Sequence, residues 1–169
     1  ESIYGKYRLG PGVSDRGFAK FAVGVQLLGT VFQDRWGVEY HLYLGNGRSA
    51  DPGGRDDNAN KAVGARLVLL PPVQQLSFGV SIYADRNGRS FNTRQRAFGF
   101  DTQWDHGGLH VESEVLLLAL EQTDDTGTPE GLFDHGTGTY LLAGYTLFDR
   151  LMPFGRVEYI DIKYGEEPS

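Results

Sequence analysis

Apolar and polar residues alternate with a period of two along most of the chain, the signature of strands whose two faces meet different surroundings. From Trp36 the even positions are Trp36, Val38, Tyr40, Leu42 and Leu44, and the odd positions are Gly37, Glu39, His41, Tyr43 and Gly45. The stretch from Gln75 to Asp85 repeats this, with Leu76, Phe78, Val80, Ile82 and Ala84 opposed to Gln75, Ser77, Gly79, Ser81, Tyr83 and Asp85. Val63, Ala65, Leu67 and Leu69 oppose Gly64 and Arg66. Phe98, Phe100, Thr102 and Trp104 oppose Ala97, Gly99, Asp101 and Gln103. Towards the C-terminus, Leu141, Ala143, Tyr145 and Leu147 oppose Leu142, Gly144 and Thr146, and Val157 and Tyr159 oppose Arg156 and Glu158. The run Val115 to Leu120 is apolar throughout, and periodicity leaves its faces open.

The pattern predicts about nine strands and no helix, over residues 2–9, 19–32, 35–46, 60–70, 74–85, 94–105, 108–121, 138–148 and 151–164. Several have the roughly 9 to 11 residues that a tilted strand needs to cross a hydrocarbon layer. Short connections rich in Pro, Gly and Asp (Gln33-Asp34, Pro71-Pro72, Asp105 to Gly108, Asp149-Arg150) alternate with long polar ones. The long ones are Gly10 to Phe18, Asn46 to Asn60, Arg86 to Thr93 and Gln122 to Thr137. Short turns at one rim and long loops at the other are expected of outer-membrane barrels. The expected fold is therefore all-β, an antiparallel up-and-down transmembrane β-barrel of eight or nine strands, or an open part of a larger one. Residues 1–169 form a single barrel domain or barrel segment on this reading. Nine strands would leave the two ends on opposite sides of the membrane, whereas bacterial barrels have even strand numbers. Further strands are accordingly expected beyond Ser169 and before Glu1.

Composition sharpens the picture. Twenty-four glycines accompany 21 aromatic residues and one methionine, a mixture suited to strands, tight turns and interfacial aromatic anchors. No run approaches the roughly 18 consecutive apolar residues of a membrane helix. The formal charge of -6 argues against a nucleic-acid partner. Without cysteine there is neither a disulfide, nor a thiolate metal site, nor a thiol nucleophile.

The segments Gly37 to Arg48 (GVEYHLYLGNGR), Asp56 to Arg66 (DDNANKAVGAR), Leu70-Pro71-Pro72 and Pro153 to Tyr159 (PFGRVEY) resemble bacterial outer-membrane porins, including those of the phosphate-selective type. The resemblance rests on loose strand and turn patterns. It implies an antiparallel barrel, often a homotrimer, in the bacterial outer membrane, with a water-filled lumen for small hydrophilic solutes or ions. A phosphate-selective member would carry a lysine-rich constriction. Lys6, Lys20, Lys61 and Lys163 do not cluster, so that selectivity is not carried over.

The polar face supplies the candidate pore-lining residues Glu39, His41, Arg66, Tyr83, Asp85, Asp101, Glu112, Glu114, Arg156 and Glu158. Facing acids and bases there would act as a charge filter. His110, Glu112 and Glu114 have a spacing that could hold a metal, but alternation alone produces that spacing in any polar wall. Asp51, Asp56 and Asp57 in one loop, and Asp124, Asp125 and Asp134 in another, offer oxygen ligands for Ca²⁺ without the spacing of a calcium loop. Asp101, Glu112 and Glu114 could assemble a carboxylate pair. No nucleophile elbow, P-loop or zinc-helix motif joins them, so no catalytic residue, metal or cofactor is expected. Trp36 and Trp104, with Phe32 and Phe148 near the same rim, predict an aromatic girdle at a membrane interface. The competing expectation is a soluble β-barrel or sandwich that binds an apolar ligand among Leu76, Phe78, Val80 and Ile82.

Overall fold

The computed structural model describes residues 24–46, 61–87, 92–123, 129–148 and 150–163. They form one eight-stranded sheet, β1 (Gly24–Gln33), β2 (Trp36–Asn46), β3 (Lys61–Leu70), β4 (Leu76–Asn87), β5 (Asn92–His106), β6 (Leu109–Thr123), β7 (Pro129–Tyr145) and β8 (Phe154–Lys163). Each strand pairs antiparallel with its sequence neighbour, in the order β1 to β8, an up-and-down meander. No pairing joins β1 to β8, so the sheet is open, consistent with part of a barrel wall. The expected strand over 2–9 and the loop Gly10 to Phe18 lie outside the described residues.

Local chemistry fixes the hairpins. Gly107 and Gly108, at φ 56° and 86°, form a two-residue turn between the paired ends His106 and Leu109. Positive φ at both central positions matches the right-handed twist of the flanking strands, and glycine adopts it without strain. Asp34 takes the same left-handed region at φ 55° between Gln33 and Trp36, a conformation aspartate tolerates better than most residues. The β3–β4 connection runs over residues 71–75 and closes on Gln75 at φ 58°.

The other rim differs from expectation. Of the connections between the described strands at this rim, only that over 47–60 is long; β4 and β5 are joined by residues 88–91 and β6 and β7 by residues 124–128. Gln122 to Thr137, read as a loop, instead lies largely in β7, which runs for 17 residues beside the 15 of β6. A register shift between Glu121 and Thr123 marks a bulge in this extension. The strict alternation of short and long connections therefore fails. At the C-terminal end β7 stops at Tyr145 and β8 starts at Phe154, with only a Leu147–Leu151 bridge between them, so the turn is longer than Asp149-Arg150.

Burial reveals which face is which. Tyr83, Gln95, Glu114 and Tyr140 retain only 2–4% exposure, although no second layer of the described chain covers them. A single-layer sheet buries one face only by curling, so that side chains on successive strands shield one another. The concave face is the polar one. The convex face carries the apolar set, with Val25 75%, Leu27 58%, Ile82 54% and Leu141 53% exposed. A closed soluble barrel carries its apolar face inside instead.

Candidate functional site

The concave face collects all ten candidate residues, because register carries the alternation of each strand to its neighbour. One continuous cross-strand row reads Glu39, Val68, Gly79, Asp101, Glu114, Tyr140 and Glu158 from β2 to β8. His41 and Arg66 face each other in the adjacent row, next to Ser81. Tyr83 and Asp85 lie farther along β4 on the same face, and the Tyr83 hydroxyl donates to Asp85 Oδ2 at 2.7 Å.

At the centre, Arg66 on β3 reaches over β4 to β5. Its Nη1 and Nη2 donate to Asp101 Oδ2 and Oδ1 at 2.6 and 2.8 Å, and Nη1 also donates to Ser81 Oγ at 3.0 Å. Such a two-pronged contact fixes both side chains in one plane. Gly79 lies beneath it. A Cβ there would stand 2.5 Å from Asp101 Oδ2 and 2.6 Å from Arg66 Nη2, so any side chain would displace the bridge from its present position.

A second cluster spans β6 to β8. The Tyr140 hydroxyl donates to Glu112 Oε1 at 2.5 Å, and the Arg156 guanidinium sits 4.1 Å above the Tyr140 ring. Arg156 Nε is 2.5 Å from Glu158 Oε1, close enough for an ion pair but not aligned for a hydrogen bond. Both basic groups of the candidate set, Arg66 and Arg156, are thus held against carboxylates. Between the clusters lies an open cavity of about 420 Å³, bounded by Tyr43 on β2 at one side and Tyr140 on β7 at the other. Arg66, Asp101, Glu112 and Glu114 all border it.

Tyr140 is missing from the sequence-derived set, yet it shares its parity with Leu142 and Gly144, so alternation alone assigns it to the polar face. The apolar run resolves into Leu116 and Leu118 on the concave side and Val115 and Leu117 on the convex side. Glycines receive the two inward leucines, Gly138 opposite Leu116 and Gly136 opposite Leu118.

His110, Glu112 and Glu114 do not converge. His110 Nδ1 lies 2.5 Å from Asp105 Oδ1, while its Nε2 is 3.8 Å from Glu112 Oε2. Among the described residues no group of three or more His, Asp or Glu is arranged to hold a metal ion. Of the loop acids, Asp51, Asp56, Asp57, Asp124 and Asp125 lie outside the described residues, and Asp134 is a backbone partner of Leu120 in β7.

Trp36 and Trp104 sit on the convex face beside the 34–35 and 107–108 turns, at one rim, 48% and 37% exposed. Trp104 stacks on His106. Phe148 is 89% exposed in the turn at the same rim. Phe32 departs from the expected girdle: it pairs with Gly37 and lies against it on the concave face, because the two-residue turn fixes Val31 and Gln33 outward. Val80 and Ile82, the proposed interior of a soluble ligand-binding barrel, are exposed on the convex face. Comparisons with family models, curated proteins and solved structures found no match to the chain.

Proposed function

We propose that this sheet is the wall of a porin-like channel in a bacterial outer membrane, through which ions or small hydrophilic solutes diffuse passively. The single observation that carries the reading is its inverted polarity: large apolar side chains exposed on the convex face, carboxylates and guanidiniums gathered on the concave one. Soluble proteins rarely expose a contiguous apolar patch larger than a few hundred Å². Here the patch runs from Val25 on β1 to Val157 on β8. Hydrocarbon is the solvent that makes such a face favourable.

The dimensions agree. From Leu76 to Ala84 the apolar positions of β4 extend about 27 Å along the strand at the usual rise per residue. Tilted by roughly 40°, that becomes about 20 Å, near the apolar height of known outer-membrane barrels. In lipid both edge strands need hydrogen-bonding partners, so the reading sets β1 and β8 against further strands of the same wall.

The concave side would face water. Asp101, Glu112, Glu114 and Glu158 border the path with Arg66 and Arg156, and acids outnumber bases. Because Arg66 and Arg156 are each engaged by a carboxylate, the remaining field attracts cations. Nothing in this reading calls for catalysis or a cofactor. Recording from the purified protein in a planar bilayer tests it: discrete ohmic conductance steps support a channel, and a protein that remains in buffer without detergent and never raises conductance refutes it.

A further inference from the structure

His110 stands on β6 just beyond the Gly107-Gly108 turn, shares the concave face with Glu112 and Glu114, and lies directly opposite Asp105 of β5. Carboxylates flank both of its ring nitrogens: Nδ1 is 2.5 Å from Asp105 Oδ1, and Nε2 is 3.8 Å from Glu112 Oε2. Both acids are themselves held in place. Asp105 Oδ2 accepts from Gln103 Nε2 at 2.9 Å, and Glu112 Oε1 accepts from the Tyr140 hydroxyl of β7. The β7 residue opposite His110 is Gly144, which presents no side chain. Arg156 of β8 is opposite Leu142 and is engaged with Tyr140 and Glu158. Among the described residues, the ion-pair contacts of the ring are thus the two carboxylates.

A neutral imidazole has one N–H and one lone pair, and a carboxylate can only accept. The close contact with Asp105 therefore assigns the N–H to Nδ1. That leaves the lone pair of Nε2 facing a second acceptor, which agrees with the wider 3.8 Å gap to Glu112. A further proton on the ring must go to Nε2, where it turns this pair of acceptors into a cation beside a carboxylate. Histidine is the side chain whose charge ordinarily changes around neutral pH. Glu112 borders the concave cavity, so the change is made at the edge of the path.

We propose that His110 places the cation preference of the path under proton control: neutral, it leaves the negative field of Glu112 open to the path; protonated, it offsets that field. The inference rests on the channel reading and names the group that tunes its selectivity.

The test is the reversal potential of the purified protein in a planar bilayer under a potassium chloride gradient, at equal pH on both sides. Between about pH 8 and about pH 5 the wild-type potential should shift towards zero. His110→Gln should remove most of that shift, and His110→Lys, charged throughout, should show the low-pH potential at both values. His106→Gln, on the convex face, should leave the shift intact. A wild-type potential independent of pH overturns the inference, as does a shift that persists in His110→Gln, which would assign it to His41 or to the carboxylates. A pH 8 potential in His110→Lys equal to that of the wild type overturns it as well. Channels that open without the pH shift refute this inference alone, whereas a protein with no conductance steps at either pH refutes the channel reading and this inference with it.

Discussion

Arg66 holds Asp101 in a two-pronged ion pair that crosses the width of an intervening strand, and the crossing is possible because Gly79 offers no side chain beneath it. Gly79→Ala should therefore push the pair apart and cost about 1 to 3 kcal/mol, the range for losing hydrogen bonds between charged groups. In an Arg66→Gln background the same substitution should cost much less, since the two changes disrupt one interaction. Urea titrations of the four proteins in detergent micelles would measure the coupling.

Tyr140 links Glu112 to Arg156, donating to the first and lying under the second. Tyr140→Phe removes only the hydroxyl and should cost about 1.5 kcal/mol, as for a hydrogen bond to a charged acceptor. Tyr140→Ala removes the ring as well and should add at least about 0.5 kcal/mol for the lost cation–π contact. The same titrations would rank the variants, and an equal effect of both would contradict the stacking role.

Face assignment gives an asymmetric pair. Val80→Arg puts a charge on the apolar belt and should cost about 2 to 4 kcal/mol near the bilayer midplane. Gln103→Arg, exposed on the concave side near Glu112 and Asp105, should be tolerated. Refolding yields into lipid vesicles would compare them. Ser81, by contrast, is a poor control: it is 6% exposed and accepts from Arg66, so an arginine there would meet a second guanidinium.

If the concave face lines a channel, cations should pass in weak preference, because Glu39, Asp101, Glu112, Glu114 and Glu158 outnumber Arg66 and Arg156 there. Reversal potentials under a salt gradient give the sign. Glu112→Gln with Glu114→Gln should move the potential towards zero, and an anion preference unaffected by that pair would remove the acids from control of the path.

How much of this was legible in the sequence depends on what each feature required. β4 was readable almost to its ends, expected over 74–85 and found at Leu76–Asn87, because its alternation is uninterrupted. β7 was not, because Pro129, Gly131, Asp134, Gly136 and Gly138 break up its N-terminal part and leave no apolar alternation there. Those glycines make sense only beside β6, where Gly136 and Gly138 receive Leu118 and Leu116. Alternation named Arg66 and Asp101 separately, but their pairing depends on the register of three strands at once.

The absence of cysteine from the chain makes the most direct test of inverted polarity straightforward. Each residue from Leu76 to Asp85 would be replaced singly by cysteine, refolded into vesicles and scored for reaction with a membrane-impermeant thiol reagent and for contact with a lipid-phase nitroxide. Inverted polarity predicts a period of two, with Val80 and Ile82 sites in contact with the nitroxide and unreactive, and the odd-numbered sites out of its reach, reactive in proportion to their exposure on the concave face. Nitroxide contact at the odd positions, or equal aqueous reactivity along both faces, would contradict it.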